Sequence, residues 1–117
     1  MASKFYADSF CNLQVKFPLV MFIKSIATKG GMQGGGFIKQ YVLNVSTDGV
    51  SYTNVQNADG GNVFAGNADT NTPVSHSFKT TVLARYVRLE VVNFHTAVSL
   101  RWMLTGCPAL STLSTLF

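Results

Sequence analysis

The stretch FIKQYVLNVSTDGVSYTNV, residues 37–55, decides the fold class. Over residues 37–46, Phe37, Lys39, Tyr41, Leu43 and Val45 fall on one side of a two-residue period, and Ile38, Gln40, Val42, Asn44 and Ser46 on the other. That period belongs to an extended strand and not to a helix. Asp48-Gly49 follows, a pair tolerant of positive φ at both positions and therefore a hairpin turn. The return strand is expected over 50–55. Outward from this hairpin the same alternation of short apolar runs and turn clusters continues. Downstream come a polar turn at Asn57–Gly61, a short apolar patch at Val63-Phe64, a loop from Gly66 to Pro73, and strands over 82–92 and 97–105. Upstream lie strands over 12–17 and 20–28, then the glycine-rich segment 30–36, which reads as a loop or hairpin tip. Residues 1–9 are mixed and read as a loosely tied terminus. There is little helical periodicity and no internal repeat. The expected fold is all-β, an antiparallel sandwich.

Composition agrees. The 117 residues are enough for one domain with a real core. Apolar residues make up 47% and charged residues 12%, about half the usual charged share, which excludes a disordered tail. The formal charge of +4 comes from nine Lys and Arg against five Asp and Glu, with no basic run. It favours an anionic surface, while the dense basic stripe of a nucleic-acid binder is missing. No signal peptide is evident: the apolar stretch 17–26 contains Pro18 and Lys24, is too short to span a bilayer and reads as a buried strand.

Chemistry-bearing patterns are few. His76 and His95 have no metal-ligand spacing, and no nucleophile elbow, phosphate loop or paired-cysteine motif occurs. The five acidic residues stand isolated, so no enzyme class is indicated and no cofactor or metal is expected. Asn67, Asp69, Asn71 and Thr72 offer oxygens that suit calcium, but carboxylates are few and a self-bonded turn is the expectation. Asn44-Val45-Ser46 meets the glycosylation pattern. Arg85, among Leu83, Val87 and Leu89, is expected to be paired within the structure. Arg101 shares the more polar face of its strand with Ser99, Met103 and Thr105. Cys11 and Cys107 allow one disulfide or two thiols.

The succession of motifs carries a likeness. Ile26 to Gly30, Ser46 to Tyr52, Gly66 to Asp69, Thr72 to Val74, Ala84 to Leu89, and Ser99 to Arg101 through Gly106-Cys107 together resemble the coagulation factor V/VIII type C domain, also called the discoidin domain. Order and spacing match from about Asn12 to Cys107. The resemblance implies a distorted jelly-roll sandwich, galactose-binding-like, that works outside the cell. Its ligand surface would be loops at one end that engage carbohydrate, anionic phospholipid or extracellular protein. Carried onto this chain, it makes Met32 and Gln33 the tip of a projecting loop, Phe94 and His95 an aromatic rim, and Arg101 a partner for phosphate or carboxylate. Ordinary structural roles remain open for all five.

The likeness has departures. Asn12-Leu13-Gln14-Val15 stands where the family has Trp-Leu-Gln-Val, Lys16 where an acidic residue is common, and Met103 where a glutamate is. Cys11 does not align with the family's first cysteine, so no Cys11–Cys107 bridge is expected. The division implied is an N-terminal extension at 1–11, a discoidin-like sandwich at 12–107 and a tail at 108–117. The family's further N-terminal segment has no counterpart in these residues, which implies an incomplete sandwich. It would then be a fragment, a reduced relative or a chain that completes itself by pairing with a second copy or another chain.

Overall fold

In the computed structural model, which describes residues 2–7, 12–31 and 35–109, with side chains from Leu13 onward, the chain forms seven antiparallel strands. They are β1 (Ala2–Ala7), β2 (Asn12–Gly30), β3 (Phe37–Ser46), β4 (Thr53–Asn54), β5 (Phe64–Ala65), β6 (Val74–His95) and β7 (Leu100–Pro108). No helix occurs among the described residues. The hydrogen-bonded order is β1-β7-β2-β6-β3-β4, with β5 beside β3.

Two long strands, β2 and β6, build both layers. The first part of β2 pairs with the second part of β6 from Asn12↔Glu90 to Lys16↔Tyr86, and β3 flanks that part of β6 from Phe37↔His95 to Ser46↔Tyr86. The second part of β2 pairs with the first part of β6 on one side and with β7 on the other, and β1 closes the far edge of β7. The change of layer has a local cause. Between Lys16↔Tyr86 and Met21↔Ala84, residues 17–20 of β2 stand against Arg85 alone. Pro18 lies within that bulge, where a missing N–H costs no ladder bond, and the Arg85 Nε donates to the Phe17 carbonyl at 3.1 Å. Lys24 forms a second bulge, unpaired between Ile23↔Gly106 and Ser25↔Thr105. It switches the inward positions from Met21 and Ile23 to Ile26 and Thr28.

Both layers feed one core. Leu13, Val15, Leu43, Val87 and Leu89 come from the first, and Ile23, Ile26, Ala84, Leu100, Trp102 and Leu104 from the second. Tyr41 stacks on Phe64 with ring centres 5.3 Å apart, and Phe78 meets Phe64 edge-on. Each large apolar side chain so buried contributes about 1.5–3 kcal/mol.

Several expectations need correction. Within the residues read as a loosely tied terminus, Ala2–Ala7 form β1. The separate strands at 12–17 and 20–28 are one bent strand, and those at 82–92 and 97–105 lie at 74–95 and 100–108. The return strand expected at 50–55 shrinks to Thr53–Asn54, because the turn is built differently. Of the Asp48-Gly49 pair only Gly49 takes positive φ, 82°. Asp48 acts through its carboxylate instead, accepting from the amides of Val50 at 2.8 Å and Ser51 at 3.0 Å and from the Ser46 hydroxyl at 2.9 Å. These bonds, the Val50 amide first, hold the Asp48 carboxyl below its usual 3.8. Cys107 is an exposed free thiol, and Cys11 lies outside the described residues.

Candidate functional site

Where β3 begins and β6 ends, residues 31 and 35–36, between β2 and β3, lie with the segments 66–73 and 96–99. Their contacts are close. The Gly31 amide donates to Ser99 O at 3.1 Å and Gly36 O at 3.3 Å, and any Cβ on Gly31 would run into the Ser99 side chain. Arg101, on β7, ties the end of β2 to the segment 66–73. Its Nε donates to Gly30 O at 2.8 Å and its Nη2 to Thr70 O at 3.2 Å. Buried Asn67 bridges inward, donating from Nδ2 to Thr28 O and Thr72 O. The Asp69 carboxylate caps its own turn, accepting from the amides of Thr72 and Asn71 and from the Thr72 hydroxyl. These bonds, Thr72 N–H first, hold the Asp69 carboxyl below its usual 3.8. The Asp69 oxygens are thus engaged within their own turn, the self-bonded arrangement expected there.

The turn after β6 is strained. Thr96 has φ 66°, in the left-handed region that a β-branched residue rarely enters. The Ala97 amide reaches back to His95 O at 2.6 Å, closing a three-residue γ-turn over it. Strain of this kind costs about 1–3 kcal/mol and gathers at ligand rims and switch segments. It presents Phe94, 47% exposed, and His95.

Beside this turn an open groove of about 560 Å³ crosses the outer face of β3. Phe37 and His95, register partners, form one wall, stacked at 4.9 Å with their planes 21° apart. Gln40 and Asn93, also partners, line it with Lys39. The register slips on both sides of Gln40, so that Ile38 and Tyr41, three residues apart, both point into the core. Lys39 and Gln40 are left outward together. This overturns the simple alternation expected for β3 and leaves Phe37 half-buried at the groove.

Of the five residues singled out from sequence, the structure brings Phe94 and His95 to the strained turn and engages the Arg101 guanidinium with two loop carbonyls. Met32 and Gln33 lie outside the described residues. Sequence reading missed Phe37, Lys39, Gln40 and Asn93, since no residue pattern marks the slip at Gln40. The glycosylation pattern falls at a bonded position. Asn44 donates to Glu90 Oε2 at 2.8 Å and accepts from Asn54 at 3.1 Å.

The family model described as F5/8 type C domain matches residues 3–104, which takes in most of β1. SCO-spondin of Gallus gallus is 37% identical over 86 residues, 74% of this chain and 2% of that protein. Lactadherin of Sus scrofa is 34% identical over 99 residues, covering 81% of this chain and 24% of the relative. Neuropilin-2 of Homo sapiens is 31% identical over 99 residues, 81% and 11%. The chain thus spans only a small part of these relatives. Among solved structures, discoidin II of Dictyostelium discoideum superimposes with a TM-score of 0.74 at 22% identity, over 88% of this chain and 40% of that one. CBM32-1 from a family 31 glycoside hydrolase of Clostridium perfringens gives 0.62 at 21% identity, over 87% and 75%. These two likenesses establish the fold.

Proposed function

The chain belongs to the F5/8 type C domain family, and from that membership we propose that it is a non-enzymatic recognition module that binds carbohydrate at the loop-bearing end of the sandwich, on the extracellular side. One observation carries the choice of ligand: the groove beside the end loops pairs an aromatic wall, Phe37 on His95, with facing amides, Gln40 and Asn93. An aromatic surface covers the C–H face of a pyranose, and amides give and accept hydrogen bonds with its hydroxyls. The end loops with Met32, Gln33, Phe94 and Arg101 would form the rim of this site. In this reading Arg101 acts by fixing the loops.

A second reading, adhesion to anionic phospholipid, is supported by half-exposed Phe94 and the formal charge of +4. Glycan-array binding and vesicle sedimentation test the two side by side, with the Gln40→Ala/Asn93→Ala and Met32→Ala/Phe94→Ser double variants. Carbohydrate recognition predicts glycan binding weakened about tenfold or more by the amide pair, the scale of two lost hydrogen bonds. Glycan binding untouched by that variant removes the groove from consideration. Vesicle binding lost only in the Met32/Phe94 variant supports the lipid reading instead. A wild type that binds neither leaves an assembly module that pairs with another chain.

A further inference from the structure

We infer that the groove is built for an anionic sugar residue, one bearing a carboxylate or a sulfate ester, with the acid group held at the Lys39 ammonium; the inference rests on the carbohydrate reading above. The argument begins with the slip in β3. In a regular strand, consecutive side chains point to opposite faces, and Lys39 and Gln40 could not line one cleft. The slip sets both outward, each exposed. A cation therefore stands next to an amide, and Asn93 faces that amide from β6.

The groove's charge is one-sided. Its lining holds Lys39 and no carboxylate. Two acidic residues, Glu90 and Asp69, have partners of their own. Glu90 Oε2 accepts from Asn44, and both Asp69 oxygens accept within their own turn. Among the described residues Lys39 has no ion-pair partner, so an incoming acid group meets no competitor. A neutral sugar would use the aromatic wall and the amides and leave the ammonium to water. An anionic sugar uses all three. The volume of about 560 Å³ falls within the ordinary range for small-ligand clefts.

Isothermal titration with galactose, galacturonic acid and galactose 6-sulfate tests this on the whole chain. Three variants are compared: wild type, Lys39→Met, and Lys16→Met as a control. Lys16 sits over the Tyr86 ring at 5.7 Å, and Tyr86 pairs with Ser46 at the far end of β3, so this variant removes the same charge away from the groove. At least one anionic sugar should bind about three- to tenfold tighter than galactose, the scale of one charge-assisted hydrogen bond near the surface. Lys39→Met should abolish that preference at an unchanged melting temperature, and Lys16→Met should retain both the preference and the galactose affinity. Which anionic sugar gains identifies the acid group. Galactose binding as tightly as both, or a preference that survives Lys39→Met, overturns the inference and leaves the carbohydrate reading intact. Absence of binding to all three sugars, galactose included, takes down the carbohydrate reading itself and the inference with it.

Discussion

Arg101 has the most consequential side chain at the loop-bearing end, since one guanidinium holds the carbonyls of Gly30 and Thr70 in fixed relation. Lysine, a single rotating ammonium, cannot reproduce that fork. Arg101→Lys should therefore lose about 1–2 kcal/mol, and Arg101→Ala more, as expected for partly buried bonds from a charged donor. Urea midpoints read the loss, and amide exchange at Gly31 and Asn71 should speed up in both variants. Unchanged exchange at those amides would mean that the clamp is not what orders the loops. Tyr41 makes the opposite case. Its ring is fully buried and burial pushes its hydroxyl well above the usual tyrosine range, an effect that nearby Thr28 partly offsets. The Thr28 hydroxyl is close enough for that influence, yet neither hydroxyl meets hydrogen-bond geometry. Removing a buried polar group without a satisfied partner removes a penalty. Tyr41→Phe should be neutral or stabilising, and a drop of about 1 kcal/mol or more in denaturant would show that the hydroxyl has a partner after all.

At the level of elements, what the residues made legible is what period and turn chemistry control. The alternation over 37–46 placed β3 to the residue, and the apolar side of β7, with Leu100, Trp102 and Leu104, is the buried side. The bulges were not legible. Pro18 marked an interruption without saying that the strand continues past it into the other layer, and nothing distinguishes Lys24 from its neighbours. At Gln40 the slip changes which side chains reach solvent, so the groove was invisible while the turn carrying Phe94 and His95 was not. Asp48-Gly49 gave the turn correctly and its mechanism incorrectly, because a carboxylate that caps two amides needs no positive φ. The glycine segment was read as permissive loop, yet Gly31 is held by close approach to Ser99. Gly31→Ala should then push the β6–β7 connection outward, lowering the melting temperature and weakening any ligand bound at the groove. Adding Ser99→Gly should restore only part of the loss, because the backbone carbon of Ser99 also lies 2.8 Å from the added Cβ. Full rescue would place the conflict in the Ser99 side chain alone.

For the whole molecule, charge and the two capped turns act together as pH falls. Asp48 closes the turn beyond one end of β3 and Asp69 braces the loops at the other, so the same chemistry holds both ends of the sandwich. Both carboxyls are lowered below their usual 3.8 by hydrogen bonds that the ionised carboxylate accepts and that its protonation weakens. A depressed carboxylate contributes stability that is fully present above its unfolded value and is lost as pH drops through the folded one. Stability should therefore be level from neutrality down to about pH 4 and decline only below 3.8. Protonation of acidic residues also removes up to five negative charges from a chain that is already +4 at pH 7, and self-repulsion adds to the loss. The two contributions separate under salt. Screening relieves long-range repulsion, with a Debye length of about 3 Å at 1 M, but it cannot restore a protonated cap. Hydrogen exchange followed down the acid decline should show the Val50, Ser51, Asn71 and Thr72 amides released at low and high salt alike, while global stability partly recovers with salt. Amides that regain protection in 1 M salt would assign the acid response to net charge and not to the caps. A decline that begins between pH 6 and 5 would exclude both carboxylates as its source.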